Sequence, residues 1–388
     1  MAQSTLSAIP VHVSICCALS PWAIQEIDQR RRAFVWTGTD SVAGGKCRVA
    51  WPIVCSPKEL GGLGLPDLTS LGFALRLRWE WLQRSQPDAP WNGLPSKPGR
   101  IIDAMFRASV SFQLGDGATV RFWTDAWLPE GAICSFAPNL FRAVGSRRRS
   151  RSVRDAMNGW QWARDITGAR TAAVLVEYLR LWEMVENVQL QPNVPDRVIW
   201  KWTSGGVYSS SSAYQAFFLG RTVMPGAREL WCASAPPKVK FFFWIALLGR
   251  LWTAERRMRH GLQQSADCVL CAQRTETTDH LLASCVFTRE IWHRLLARVG
   301  FQHLCPSDES VLLDWWQQER MRVPESFRRG FDSLVLLVSW EVWKERNRRT
   351  FDSSCKTPTE LVSLIRHEAN DWIAAGFRSF APLFTPAA

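Results

Sequence analysis

The chain has 388 residues, of which 47% are hydrophobic, so it is long enough for two or three domains with real cores. Its 47 Lys and Arg exceed its 35 Asp and Glu, and the net charge of +12 favours a polyanionic partner without demonstrating one. The longest apolar runs, at 241–249 and 334–340, are far too short to span a membrane, and residues 1–5 lack the basic segment of a signal peptide. We therefore expect a protein that has no membrane partner and is not secreted.

The first third of the chain contains clear helix signals. Ser20-Pro21 is a typical helix start, and apolar residues recur at helical spacing up to Gly38. Residues 48–51 predict a short strand, and residues 68–84 predict a second helix. Four prolines within 87–99 indicate a domain boundary.

The second segment combines an alternating stretch with an arginine-rich one. Residues 118–127 (ATVRFWTDAW) alternate between polar and apolar side chains, which predicts a strand. The run 142–154 is rich in Arg, Ser and Gly, which is typical of a disordered, solvated loop. The functional alternative is nucleic-acid contact, for which the candidates are Arg147, Arg148, Arg149 and Arg151.

Beyond the prolines at 192–195, the pattern becomes mainly helical. A small hairpin is predicted from 197–202 and 206–208, followed by helices at 211–219, 238–251, 326–348 and 358–376. The helix at 238–251 leads into a second basic stretch, in which Arg256, Arg257 and Arg259 are candidate phosphate contacts or, alternatively, a solvated face.

Four residues form a metal-binding pattern, C-x2-C-x8-H-x4-C, made of Cys268, Cys271, His280 and Cys285. Two thiolates on one tight knuckle, followed by a His and a third Cys, provide the four ligands that structural zinc prefers. Four good ligands leave no open position for catalysis, so we expect one closed, structural Zn2+. Because residues five apart lie on different faces of an α-helix, we expect His280 to open one short helix and Cys285 to begin another. The other cysteines are mostly single, so a reduced, intracellular protein is predicted.

The 22 tryptophans are more than usual and allow two interpretations. Aromatic rings among basic residues can stack on single-stranded bases. Most of these tryptophans, however, lie within apolar runs, which indicates core packing.

Residues 200–296 resemble the zinc-binding domain on the C-terminal side of plant non-LTR (LINE-type) reverse transcriptases. The resemblance is carried by WKWTSGGVYSSSSAY, LWCASAPPKVKFFFWIALLGRLWTAERRMRHG and CVLCAQRTETTDHLLASCVFTREIW. Upstream, FVWTG, VAWPIVCSPKELGGLGLPDL and VRFWTDAWL are similar to the segments that join the polymerase core to this domain, and WEVWKERNRRTF is similar downstream. The resemblance implies a thumb-side remnant at 1–95, a connector at 96–195, the zinc-binding domain at 196–300 and a helical tail at 301–388. The fold class expected is α+β, predominantly α-helical with short strands and a small CCHC zinc-binding domain.

This sequence departs from the family in its catalytic parts. The family's polymerase uses paired aspartates to hold two metal ions, and no two aspartates are adjacent here. The resemblance places the palm and the endonuclease before residue 1 and any RNase H domain after the last residue. We therefore expect a truncated, non-catalytic protein rather than an enzyme.

Two functions fit these observations. The first is a zinc-binding protein of retrotransposon origin that binds RNA or DNA without sequence preference and takes no small-molecule substrate. The alternative is an inert or protein-interacting remnant of a truncated polyprotein. The family would place the protein in the nucleus.

Overall fold

The computed structural model describes residue 8 and residues 10–42, 45–90, 99–169, 171–352 and 354–384. The chain divides into two compact units, each built from two separate stretches. The first unit comprises Met1–Asp28 and Asp67–Gly220, and the second comprises Gln29–Pro66 and Arg221–Ala388. Most of the predicted boundary at 87–99 lies outside the described residues. The four-segment division of the chain stays a prediction.

Helices dominate the first unit. The predicted helix at 68–84 is confirmed as Leu68–Ser85, and the Asp67 side chain caps its start by accepting the Ser70 N–H. The further α-helices lie at Val11–Cys16, Arg100–Ser109, Ile133–Phe136, Pro138–Ala143, Val153–Met157, Gln161–Arg164, Ala172–Val185 and Ser210–Ala216. The helix Pro21–Thr37, predicted from Ser20-Pro21, contains the residue at which the chain passes from the first unit to the second.

The two strands of the described residues belong to the first unit. Val110–Gln113 and Arg197–Trp200 pair antiparallel, with Val110 opposite Trp200 and Gln113 opposite Arg197. The predicted hairpin of 197–202 with 206–208 is therefore wrong. The Trp200 N–H donates to the Gly206 carbonyl at 2.8 Å and the Gly206 N–H donates to the Thr203 carbonyl at 3.1 Å, which close only a turn. The ladder of Arg197–Trp200 forms with a strand far back along the chain.

The predicted strand at 118–127 is also wrong. Phe122 and Trp123, which are consecutive residues within this segment, are both fully buried. In a strand with one solvated face, consecutive side chains would alternate between the core and the solvent. The segment instead winds through turns, and the Trp127 indole N–H donates to the Phe122 carbonyl at 2.8 Å.

Asp196 ties this irregular segment to the start of the second strand. Its carboxylate accepts the backbone N–H groups of Gly115, Gly117, Thr119 and Val120, at 2.8–3.3 Å, and the Thr119 hydroxyl at 3.0 Å. Burial raises the pKa of this carboxyl, but the hydrogen bonds outweigh burial, so the pKa lies below its ordinary value of 3.8. The ionised carboxylate thus holds the turn in place.

The second unit contains the long C-terminal helices. The predicted helices at 238–251, 326–348 and 358–376 are confirmed as Pro237–Leu247, Glu325–Asn347 and Pro358–Ala374. The others lie at Trp51–Val54, Ala227–Cys232, Ala254–Arg259, Val286–Arg298, Leu312–Arg322 and Ala381–Phe384. The strand predicted at 48–51 is wrong, because Trp51-Pro52 opens a helix. Proline has no N–H for a strand ladder and favours the first helical turn.

Tryptophans fill the core of the second unit. Trp244, Trp292 and Trp316 are each fully buried, which confirms the packing interpretation for these residues. The Trp244 indole donates to the Gly61 carbonyl at 2.7 Å, and so joins the two stretches of this unit. None of the described helices combines the length and apolar character needed to cross a membrane.

Candidate metal centre

The first two ligands lie on a knuckle that closes on itself. The Ala272 N–H donates to the Cys268 carbonyl at 2.7 Å, and the Cys268 N–H donates to the Arg274 carbonyl at 2.9 Å. Ala272 takes a left-handed backbone conformation, with φ of 53°, which is uncommon for a residue with a Cβ. This turn directs Cys268 and Cys271 to the same side of the loop.

The other two ligands are brought together by a π-helix at His280–Ser284. The Cys285 N–H donates to the His280 carbonyl at 2.7 Å, the five-residue spacing that defines a π turn. Cys285 is then the N-cap of Val286–Arg298. The expectation that His280 opens one helix and Cys285 begins another is confirmed. The wider turn explains how residues five apart reach one site.

The four ligand atoms lie within 4.8 Å of one another. The Cys268 and Cys285 Sγ atoms are 3.9 Å apart, and Cys271 Sγ lies 3.3 Å from His280 Nε2. A tetrahedral zinc ion would place two sulfurs about 3.8 Å apart and a sulfur and a nitrogen about 3.6 Å apart, given its usual bond lengths. The cluster therefore fits one zinc ion, as predicted.

Burial adds to the chemical case for a metal. Cys268 and Cys285 are fully buried, and His280 is 6% exposed. The contact with Cys285, and then burial, raises the pKa of the Cys268 thiol to about 12, while the contact with Cys268 lowers the pKa of Cys285. The Cys268 thiol is therefore the harder of the two to ionise. Zinc requires thiolates, so its binding must release protons from this cluster.

A buried ion pair that no sequence pattern predicted lies beside the metal loop. Glu276 Oε1 accepts the Arg346 guanidinium at 2.8 Å and the Ala254 N–H at 2.7 Å. The Glu255 N–H also donates to the Glu276 carbonyl, at 3.4 Å. Glu276 therefore fixes the start of the helix Ala254–Arg259 to the metal loop. Glu276 lies within a segment that carries the resemblance, but no local signal pointed to its pairing with Arg346.

The Arg147–Arg151 run is ordered, so the predicted disordered loop is wrong. Its anchor is Asp165, a fully buried carboxylate that Arg151 binds through two nitrogens at 2.8 and 2.9 Å. Arg148 reaches the same carboxylate at 3.2 Å, and Arg149 stacks over the Phe141 ring at 4.5 Å. A buried carboxylate needs such partners. Arg147 is exposed, and in the described part of the chain its side chain has no ion pair or hydrogen bond.

The second basic stretch forms the helix Ala254–Arg259. Arg256 stacks over the Trp252 ring at 4.9 Å, and Arg257 lies over the Phe351 ring at 5.2 Å. Arg259 is exposed and pairs with Glu255 at 2.5 Å. All three predicted arginines therefore lie on one short helix that is attached to the metal loop.

Comparison with known proteins agrees with this site. Residues 208–292, which include all four ligands, match the domain family described as "zinc-binding in reverse transcriptase". The chain is 28% identical over 385 positions to the "Putative ribonuclease H protein" of Arabidopsis thaliana, and the match covers 92% of this chain. The chain spans 60% of that relative's length. The site and these two likenesses support a zinc-binding protein of retroelement origin.

Proposed function

We propose that this protein binds RNA or DNA through phosphate contacts on the surface around the zinc loop, without reading base sequence. The observation that carries the proposal is the attachment of an arginine-bearing helix, Ala254–Arg259, to the metal loop through Glu276. The metal would make this surface rigid, and a rigid surface loses less entropy when it orders a flexible strand.

The chemistry of these arginines suits phosphate. A guanidinium presents several donors in one plane, and stacking on an aromatic ring leaves those donors available. Arg256 and Arg257 are stacked in this way. The Arg259–Glu255 pair is exposed at 70% and 33%, so it is weak and a phosphate can replace the carboxylate. No base-reading geometry is proposed, because phosphate contacts carry no sequence information directly.

The Arg147–Arg151 run contributes less to the proposed binding. Arg148 and Arg151 are held by Asp165, and removing their charge would disturb the fold. Arg147 alone of this run is offered as a phosphate contact, because its side chain is exposed and unpaired among the described residues. The helix Ala254–Arg259 is therefore the main proposed binding surface.

The test is fluorescence anisotropy with a random single strand and a structured RNA over a salt series. The triple variant Arg256→Ala, Arg257→Ala and Arg259→Ala should bind more weakly, and its salt slope on a single strand should fall by up to about two units. The matched control replaces the same arginines with Lys, which keeps the charge and should retain most of the slope. If the alanine variant keeps wild-type affinity and slope, this helix is only a solvated face.

We also propose where the gene comes from, where the protein is located in the cell, and that it catalyses no nucleotide transfer. The segments that resemble plant LINE-type reverse transcriptases and the relative in Arabidopsis thaliana support a plant non-LTR element as the source. A nuclear location and a role without nucleotide transfer are proposed with it. Genomic sequence on both sides of the coding region tests the origin, and a fluorescent fusion of the full chain tests the location.

A second candidate function is protein interaction, and one surface favours it. On the helix Ala172–Val185, Leu175, Val176 and Leu179 are exposed at 49%, 66% and 61%. Apolar side chains one turn apart form a stripe that water solvates poorly. Light scattering would favour this alternative if the measured mass rises with protein concentration and Val176→Lys abolishes that rise. The wild type should then also show no nucleic-acid binding.

A further inference from the structure

A cavity of about 350 Å³ opens beside the zinc loop. Its walls come from the turn at Gly249, the helix Ala254–Arg259 and residues 277–279. The lining is polar and charged, and includes Arg250, Thr253, Arg256, Arg259, His260 and Thr278. No Trp, Tyr or Phe is among the described lining residues, and His260 is the one aromatic ring among them.

The two acidic groups of the cavity are already engaged. The Glu255 carboxylate pairs with Arg259 at 2.5 Å. Asp279 Oδ1 accepts the Leu312 N–H at 3.0 Å, at the start of the helix Leu312–Arg322. Among the described residues, neither carboxylate forms an ion pair with Arg250 or Arg256.

A third arginine, Arg48, lies close enough to this pair to repel Arg256. In the part of the chain that the structure describes, the guanidinium groups of Arg250 and Arg48 form no hydrogen bond or ion pair, and Arg256 donates only to the Gly249 carbonyl, at 3.2 Å. Burial, and then repulsion from Arg250, Arg48 and Arg259, lowers the pKa of Arg256. Clustered like charges destabilise a fold. A bound anion would relieve that repulsion.

We infer that this cavity is a phosphate-binding site, in which Arg250 and Arg256 hold one backbone phosphate of the nucleic acid. The inference rests on the proposed function and adds Arg250, which lies outside the predicted set. Arginine forks match the oxygens of a phosphate, and Thr253 and Thr278 line the same space. The cavity recognises the phosphate and leaves the base outside.

Two measurements on the zinc-loaded full chain test the inference. The first is the change in Tm on adding inorganic phosphate, compared with sodium chloride at equal ionic strength. The second is single-strand affinity by anisotropy. The test variant is Arg250→Ala with Arg256→Ala. The matched control is Arg228→Ala with Arg366→Ala, which removes the same charge from exposed positions of the same unit.

Removing these arginines should have opposite effects on the Tm of the free protein and on the affinity for a strand. The test variant should lose the phosphate-induced rise in Tm and bind the strand about tenfold more weakly, since a hydrogen bond to a charged group contributes about 1.5 kcal/mol or more. Arg250→Ala alone should raise the Tm of the free protein, because it relieves repulsion. The control should keep the phosphate response and most of the affinity.

The outcomes separate this inference from the broader proposal. If the wild type binds the strand but the test variant and the control are equal in both measurements, the cavity is not the site and nucleic-acid binding stands. If phosphate raises the Tm of the wild type and not of the test variant, but no strand binds, the anion site stands and the proposed function is overturned. No phosphate response and no strand binding would overturn both.

Discussion

Glu276 and Arg346 form an ion pair that is closed off from solvent. Arg346 Nη2 lies 2.8 Å from Glu276 Oε1, and the two side chains are 2% and 0% exposed. Arg346 is near the end of the helix Glu325–Asn347, and Glu276 lies in the metal loop. The pair therefore connects the zinc loop to the longest helix of the unit.

Breaking this pair should be costly. Glu276→Ala leaves the Arg346 guanidinium buried without its partner, and we expect a loss of about 3–5 kcal/mol in the free energy of unfolding. Adding Arg346→Met should recover part of the loss, because it removes the stranded charge. Urea unfolding of the wild type, both single variants and the double variant gives the coupling. A cost below about 1 kcal/mol for Glu276→Ala would contradict the role given to the pair.

The zinc site should bind one ion per chain. Cys271→Ser, or a strong chelator, should increase hydrogen exchange over residues 255–300 and leave the first unit protected, since structural zinc contributes folding free energy directly. Cys355→Ser is the control, because Cys355 is exposed and outside the cluster. Metal analysis of the pure protein that finds no zinc above background would exclude this interpretation.

Asp196 should make the stability of the first unit depend on pH. Its carboxyl pKa is lowered in the fold, so its contribution is present above the ordinary value of 3.8 and is lost as pH falls through the folded value. At pH 7, Asp196→Asn should destabilise the protein by about 1–2 kcal/mol, through weaker hydrogen bonds to the turn at 115–120. The difference from wild type should shrink below pH 3.8.

The control for that experiment is Asp88→Asn, which changes an exposed carboxylate. It should leave the pH profile of unfolding unchanged. A wild-type advantage over Asp196→Asn that persists undiminished at pH 2 would show that the charge of Asp196 is irrelevant to the turn.

Polymerase activity should be undetectable on primed RNA or DNA templates with magnesium or manganese. We expect this because no two aspartates are adjacent in the sequence, and paired carboxylates position the two metal ions of nucleotide transfer. The assay measures primer extension by the pure chain. Template-dependent extension that follows the protein through purification would be evidence against the proposed non-catalytic role.

The features that sequence predicted are those set by local chemistry. The helix Pro358–Ala374 begins with a capping box. The Thr357 hydroxyl accepts the Glu360 backbone N–H, and the Glu360 carboxylate accepts the Thr357 backbone N–H. The ligand spacing from Cys268 to Cys285 is equally local, and it predicted both the metal and the break between two helices. Signals of this kind lie within a few residues of the structure they determine.

The features that sequence did not predict depend on distant partners. The strand Arg197–Trp200 pairs with Val110–Gln113, and no local pattern identifies that partner. The Arg147–Arg151 run is ordered because Asp165 is buried beneath it, yet Asp165 appears isolated in the sequence. The arrangement of Arg48, Arg250 and Arg256 likewise exists only in three dimensions.

The hydrogen bond between Trp244 and Gly61 joins residues 183 positions apart, and this has a consequence for synthesis on the ribosome. The first unit can close once residue 220 has emerged, because chains generally fold unit by unit from the N-terminus. Residues 29–66 must wait for the stretch that begins at residue 221. Until then Val54, Cys55 and Leu65, all buried in the finished protein, belong to an incomplete unit, which chaperones or unwanted partners can bind.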